Sequence, residues 1–596
     1  MQRVSGEFGE KHTSGTKASV DFGPVCVGVR TPTYQTVPFT GRSFPQPKKP
    51  VSHSGRDRLR LRRFIEPRLD APLPLWRIFP VVFAALYASH FTLLRLPYYW
   101  DEAGYYIPAA WDFFRTGSLI PITTLTNAHP PLPSIYLALW WRVSGFYPEV
   151  TREAVLMVAA LGLLAVWRLA MRLVGVGSVA FWTVVLTGLY PIWFAQSTLA
   201  NADIFAAACT LWGLVYALPD RDRKPWVAAL WFAAAALSKE TAIAVPLTLA
   251  AVSLVEGFRF RPPLRFRLWR EAAWLSSCVL PLAGWYAWHY AKTGFLFGNP
   301  EFLRYNAQAN LDPLRILAAF GHRVLHLTAH MNLFVPVLMT VAAMLLDPRL
   351  DAEGHDRARI GVPALRRIFL LLLVNALLFS VLGGALLTRY LLPMYPLVLL
   401  VAVSIFYLRV PYWQGLAVFS SAAFVVALFI NPPYGFAPED NLAYAHVVRL
   451  HLAGIAQLNK RYPGATVLSA WPMTDELTRP ELGYLKQPYK VYEVYRLEDF
   501  TAAQIARAAA EPERYSAALV FSTKYEPPAP LLSLGRKSEA MDERYFGLHH
   551  DLPPEEIARE LGGTLVWKKE DQGQWVALIR FNRQFEAAAQ IPDLLH

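Results

Sequence analysis

"PPLPSIYLALWWRVSG", residues 130 to 145, decides how the whole chain is read. If this apolar run crosses a membrane, every later loop changes side. If it lies along the surface, the basic loops sort to one side. Pro131 near its start suits a first helical turn, and Trp140 and Trp141 suit the aromatic belt at a membrane surface. The segment is therefore read as a helix lying in the outer interface.

Composition supports a membrane setting for the rest of the chain. Of its 596 residues, 54% are hydrophobic and only 17% are charged, against about 25% charged in soluble domains. Spans need roughly 20 apolar residues. Candidates lie at 78–97, 153–171, 178–196, 203–218, 225–238, 241–256, 272–291, 331–346, 367–385, 390–408 and 412–430. The class expected is a polytopic α-helical membrane protein with about 11–13 transmembrane helices, followed by a soluble α/β domain.

Arginine placement tests this map. Arg56, Arg58, Arg60, Arg62 and Arg63 precede the first span and put the N-terminus inside. Alternation then places Arg168 with Arg172, Arg221 with Arg223 and Lys224, the run from Arg259 to Arg270, the stretch from Arg349 to Arg367, and Arg409 on that same side. The formal charge of +13 is thus accounted for by membrane loops, and no nucleic-acid partner is expected. The three cysteines, Cys26, Cys209 and Cys278, are scattered and give neither a disulfide framework nor zinc-ligand spacing.

Three regions follow. Residues 1–76 form a basic cytoplasmic leader, rich in Ser, Thr, Gly and Pro and expected to be disordered. Residues 77–430 form the membrane domain, with a first outer loop at 98–152. Residues 431–596, opening with "NPPYGFAPED", carry ordinary charged sequence. Runs at 465–470, 515–520, 564–569 and 575–580 read as strands, and 501–510 and 554–563 as helices. An odd span count places this domain outside.

Polar residues beside membrane helices are costly and invite a functional reading. On the map above they gather at one face: Asp101 and Glu102, Asn127 and His129, Asn201 and Asp203, Lys239 and Glu240, and Arg389 with Tyr390. Each has an ordinary alternative. Asp101 and Glu102 suit a helix N-terminus, Asn127 and His129 suit a loop, Asn201 or Asp203 an N-cap, and Arg389 a snorkelling position. Functionally, a carboxylate here serves as a general base or as an oxygen ligand for a divalent cation. Tyr105, Tyr106, Ala109, Ala110, Phe113 and Phe114 recur at helical spacing, as in an amphipathic helix along the membrane surface. His322, His326 and His330 fall on one helical face, as metal ligands or as unremarkable surface histidines.

"YYWDEAGYY", "NAHPPLPSIYLALWW", "LANADIFAAACTLWGL", "ALSKETAIAVPL" and "TRYLLPMYPLVLL" appear in family order. Through them the chain resembles GT-C membrane glycosyltransferases, in the branch of aminoarabinose transferases and protein O-mannosyltransferases. The resemblance covers roughly residues 75 to 430; the C-terminal domain has no close match to it. It implies a polyprenyl-phosphate-linked sugar donor, with the sugar at the outer face of the plasma membrane. Asp101 takes the position of the family's first-loop acid, Glu102 completes the acidic pair of the mannosyltransferases, and Asp203 matches an acid near the active site. Arg389 matches a basic residue beside the phosphate, with His129 and Lys239 as further phosphate contacts. His129 stands where aminoarabinose transferases usually have Lys, which weakens the link to that branch. Tyr105, Asn127, Asn201, Glu240 and Tyr390 are expected to line the substrate site. A divalent metal (Mg, Mn or Zn) would involve Asp101, Glu102 and His330.

The function expected is transfer of a monosaccharide to a hydroxyl-bearing lipid, glycan or protein acceptor, with inversion by family mechanism. The alternative is a transporter or lipid flippase with an extracytoplasmic binding domain. A transporter places ionisable residues near mid-membrane, often in repeated halves, whereas these cluster at one face.

Overall fold

The computed structural model describes residues 74–126, 129–219, 222–298, 311–351, 354–382, 386–492, 499–527 and 536–581. The leader, apart from its last three residues, and Asn127 lie outside them. All described residues belong to one compact unit, Glu66–His596.

Every candidate span carries helix. The first helices are α1 (Leu75–His90), α2 (Ile107–Thr116), α3 (Leu132–Ser144) and α4 (Pro148–Leu173). Next come α5 (Gly177–Leu189), α6 (Pro191–Gln196), α7 (Ala202–Ala217), α8 (Pro225–Ala236) and α9 (Ala244–Arg259). After them follow α10 (Leu264–Ser276), α11 (Val279–Thr293), α12 (Pro313–Thr328) and α13 (Phe334–Met344). The bundle ends with α14 (Val362–Val381), α15 (Tyr395–Arg409) and α16 (Gln414–Phe429).

Among the described residues, three helical stretches are long and apolar enough to cross a membrane: Pro148–Leu173, Glu240–Arg259 and Val362–Val381. A fourth is added if Pro313–Asn332 and Phe334–Met344, bent by 100°, form one span. Five further apolar helices are shorter, α5, α7, α8, α15 and α16. Local chemistry explains the breaks. Pro191 interrupts the segment expected at 178–196, because proline lacks an N–H and clashes with the preceding turn. The segment at 272–291 is divided between α10 and α11. The α12–α13 bend passes through Met331 and Asn332, both at positive φ.

The segment 130–145 folds as α3, whose 13 residues rise about 20 Å, short of the roughly 30 Å hydrocarbon layer. Its Trp141 departs from the expected interfacial role. The side chain is buried against α4, and its indole N–H donates to Thr151 Oγ1 at 2.9 Å.

Opposite ends of the long helices have opposite chemistry. α4 and α7 carry Arg152 and Asp203 near their starts. At their far ends Arg172 donates to the Val215 and Asp222 carbonyls at 2.8 and 2.9 Å. α9 starts just after Lys239–Glu240 and ends near Glu256, which pairs with Arg367 of α14 at 3.1 Å. α15 starts after Arg389 and ends at Arg409, bonded to the Leu346 carbonyl. The arginine-rich loops and the polar cluster therefore occupy opposite ends of the same helices.

Beyond the bundle lie α17 (Ala443–Arg461), β1 (Thr466–Leu468), α18 (Met473–Thr478), β2 (Lys490–Tyr492) and α19 (Ala502–Ala509). Then come β3 (Ala517–Phe521), α20 (Arg536–Phe546), α21 (Pro554–Glu560), β4 (Thr564–Asp571) and β5 (Gln574–Arg580). The sheet order is β2-β1-β3-β5-β4. β1 runs parallel to β2 and β3, whereas β5 is antiparallel to β3 and β4. The β4–β5 turn uses Gln572 and Gly573 at φ 49° and 80°. Two positive φ values make the type I′ turn whose twist matches a tight hairpin.

The C-terminal domain packs on the segment that follows α1. After β1, Trp471 meets Trp100 edge-on at 5.3 Å and lies against Gly104, where an added Cβ would sit 2.8 Å from its ring. The Tyr484 hydroxyl donates to the Tyr98 carbonyl at 3.0 Å, and Tyr98 N–H donates to the Leu482 carbonyl at 3.2 Å.

Candidate functional site

Asp101 and Glu102 begin a short π-helix, Glu102–Tyr106, that leads into α2. Trp100 precedes it at φ 48°, a strained conformation for a bulky residue that the surrounding packing must hold. Neighbouring side chains on a helical turn diverge, and the two acids part completely. Glu102 turns inward and is fully buried. Its Oε1 accepts from Arg152 at 2.6 Å and from Ala200 N–H at 2.5 Å, and its Oε2 accepts from Tyr99 N–H at 2.9 Å. Arg152 also donates to the carbonyls of Thr198 and Pro97 at 2.5 and 2.8 Å. The pair thus ties the backbone beside Asp101 to the backbone beside Asp203. Glu102, expected in catalysis and as a metal ligand, instead braces the fold, because both its oxygens are committed.

Asp101 turns toward Arg389, which bonds Asp101 with one amino group and Glu439 with the other. Its Nε faces Asp203 Oδ2 at 3.4 Å, and Lys239 Nζ donates to Asp203 Oδ1 at 2.6 Å. Five segments distant in sequence therefore contribute three carboxylates and two cations to one cluster. Arg389, Asp203 and Glu439 are buried, whereas the Asp101 side chain is 22% exposed and forms the accessible edge. Burial, reinforced by Asp101, Asp440 and Asp203, pushes the Glu439 carboxyl up to about 8 against the pull of Arg389. Tyr390 lies under Lys239, whose Nζ is 4.0 Å from the ring centroid, and 5.8 Å from the Arg323 guanidinium.

Other expected residues form a second group. His129 Nδ1 and Glu240 Oε2 lie 2.9 Å apart, and Tyr106 stacks on His129 at 5.8 Å. His129 and Tyr106, but not Glu240, border a small pocket with Tyr105, Thr126, Ser238 and Trp285. Two of its lining residues, Ala202 and Ser238, immediately precede Asp203 and Lys239. Asn201 does not cap α7 with its side chain, which donates instead to Gln196 Oε1 at 3.0 Å.

The expected metal set does not assemble. His330 Nε2 is 2.9 Å from Asp440 Oδ2 and its Nδ1 is 3.1 Å from the Tyr434 hydroxyl. Asp101 is held by Arg389, and Glu102 faces Arg152. Among the described residues, no group of three or more His, Cys, Asp or Glu is arranged to hold a metal ion. His322 and His326 have separate neighbours, Asp542 at 3.8 Å and Arg323 at 3.4 Å.

Sequence reading missed several members. Glu439 and Asp440 stand in "APED", past the last apolar run, and only the fold carries them back to Arg389 and His330. Arg152 is hidden in an apolar helix. Arg315 and Arg323 lie along the inner side of α12, both nearly fully buried. Arg315 donates to the Ser380 and Leu382 carbonyls at 3.0 and 3.1 Å. Arg323 donates to the Leu387 carbonyl at 2.8 Å, and its Nε has no hydrogen-bond partner. Among the described residues neither arginine has a carboxylate within ion-pair distance, unlike Arg389.

Residues 128–285 match the family model described as dolichyl-phosphate-mannose-protein mannosyltransferase. The matched segment contains His129, Asp203, Lys239 and Glu240. No curated protein sequence matches the chain. Two crystal structures of ArnT from Cupriavidus metallidurans are similar to it. The apo form is 15% identical, with 84% of this chain and 97% of that chain covered and a TM-score of 0.48. The form bound to undecaprenyl phosphate is also 15% identical, with 85% and 98% covered and a TM-score of 0.46. The family match over residues 128–285 bears out the resemblance, drawn from the motifs, to GT-C membrane glycosyltransferases.

Proposed function

We propose that the protein transfers a monosaccharide from a polyprenyl-phosphate donor to an acceptor hydroxyl, at the outer face of the plasma membrane. The observation that carries this reading is the convergence of Asp101, Asp203, Lys239, Arg389 and Glu439 at the end of the bundle opposite the arginine-rich loops. Helix-end clustering favours an enzyme working at a membrane face over a transporter with charges at mid-membrane.

A sugar phosphate already carries a good leaving group, so the protein's task is charge stabilisation and positioning. Arg389 is engaged by Asp101, Glu439 and Asp203 and serves mainly to aim Asp101. Arg323, with no acidic partner and beside Tyr390, is better placed than Arg389 to receive the donor phosphate. Lys239 lies across the same ring and assists as negative charge grows on the leaving oxygen. Asp101, the exposed member, accepts the proton as the acceptor oxygen forms its bond to the anomeric carbon and the sugar–phosphate bond breaks. Direct displacement inverts that carbon. The pocket beside His129, Tyr105 and Trp285 lies where a sugar substituent would enter.

The test uses purified protein, a synthetic polyprenyl-phosphate mannose donor and membrane extract as acceptor source. Wild-type protein is expected to release polyprenyl phosphate and label a hydroxyl-bearing product. Absence of donor consumption across neutral and amino-sugar donors would refute the reading.

A further inference from the structure

The end of the bundle opposite the cluster carries a feature that sugar transfer does not use. From the last residue of α9 into α10 the chain reads "RFRPPLRFRLWR", residues 259–270, with five arginines and no acid. Arg259, Arg261, Arg267 and Arg270 are exposed and Arg265 is half-buried. None of the five pairs with a carboxylate among the described residues. The nearest acids in sequence are already taken: Glu256 by Arg367 at 3.1 Å, and Glu271 by Arg223 at 3.1 Å and Ser253 at 3.0 Å.

Apolar side chains alternate with these cations and are also uncovered. Phe258, Phe260 and Phe266 are 65%, 46% and 60% exposed. Two of them pack on Trp269, which meets Phe258 at 5.4 Å and Phe266 at 6.1 Å and carries the Arg265 guanidinium 5.7 Å from its ring. Gly257 lets the indole approach, since a Cβ there would lie 2.5 Å from Trp269 Nε1. The surface therefore pairs unneutralised positive charge with uncovered aromatic rings, immediately after the span Glu240–Arg259.

We infer that residues 258–270 form a docking surface for anionic phospholipid headgroups, with the arginines on the phosphates and Phe260 and Phe266 inserted among the acyl chains. An acidic protein or a nucleic acid satisfies the arginines but gives the phenylalanines no apolar layer. A leaflet of anionic lipid satisfies both. The docking also holds the α9–α10 hairpin at the membrane surface, fixing the end of the span that begins at Lys239–Glu240.

The full chain is reconstituted in phosphatidylcholine nanodiscs with and without phosphatidylglycerol, and retained lipid is counted by native mass spectrometry. Wild-type protein is expected to retain phosphatidylglycerol in preference. Combining Arg261→Gln, Arg265→Gln and Arg267→Gln should weaken that retention about fivefold per arginine removed. Combining Phe260→Ser and Phe266→Ser should weaken it while leaving binding of heparin, a soluble polyanion, unchanged. Equal retention of the two lipids, or an arginine variant that retains phosphatidylglycerol as the wild type does, overturns the proposal. Retention unaffected by the phenylalanine changes but abolished by heparin also overturns it, in favour of a soluble polyanionic partner.

Discussion

Removing the Glu102–Arg152 pair gives the sharpest structural prediction, because the pair is also a backbone bracket. Arg152→Leu leaves a fully buried carboxylate with only two N–H donors, and losing one partner of a buried pair costs about 3–5 kcal/mol. Replacing both partners with apolar residues is often neutral elsewhere. Here it orphans the carbonyls of Pro97 and Thr198 and the N–H groups of Tyr99 and Ala200. At about 1–3 kcal/mol per buried orphan, the double leucine variant should lose at least ~4 kcal/mol and gain nothing over Arg152→Leu. Glu102→Gln keeps an acceptor oxygen and should be the mildest of the three. Unfolding in detergent, followed by denaturant midpoint, ranks them. If the double variant recovers wild-type stability, the pair does not hold the two loops, and the bracket reasoning fails.

Four further outcomes follow from the same geometry. Arg323→Gln should weaken binding of the proposed polyprenyl-phosphate ligand by about 10–100-fold, the loss of charge-assisted bonds, in protein that still unfolds cooperatively; unchanged affinity would place the phosphate elsewhere. Glu439, whose carboxyl is raised to about 8 in the fold, favours the folded state fully below its unfolded value near 4.5, and this contribution is lost as pH rises through 8. The fall in stability across that window should therefore flatten in Glu439→Gln, and an identical pH profile would contradict the assignment. Cysteine at Ser118 should react with an impermeant outer-face thiol reagent in intact cells, and cysteine at Arg261 only after membrane disruption. The reverse pattern would invert the sidedness.

Much of the fold was legible because membrane helices announce themselves by apolar length and arginine placement. The eleven apolar segments all carry helix, and four strands fall where β-branched and aromatic runs lie. The short β2 and the helix α17 went unread, the first from its three residues, the second from a charged, mixed pattern. Trp141 looked interfacial, since nothing local reveals that α4 offers its indole a hydroxyl. The cluster was half legible. Asp101, Asp203, Lys239 and Arg389 stand out as polar residues at apolar ends, whereas Glu439 sits in loop sequence where acids are ordinary. Adjacency misled at Glu102: the sequence makes it the twin of Asp101, but one step around a helical turn sends it to a different partner. Arg323 stayed hidden because a helix with three histidines reads as a polar surface, and only packing against Phe379 and Tyr390 shows it to be interior.

Asp101→Asn separates a catalytic carboxylate from a structural one. The substitution keeps shape and leaves a carbonyl oxygen facing Arg389, so insertion, unfolding midpoint and binding of the proposed polyprenyl-phosphate donor should stay near wild type. Transfer from the lipid-phosphate sugar donor should fall by at least the 10²–10⁴-fold that a positioned base contributes. Transfer at the wild-type rate by a folded, lipid-binding Asp101→Asn protein would show that Asp101 is not the base.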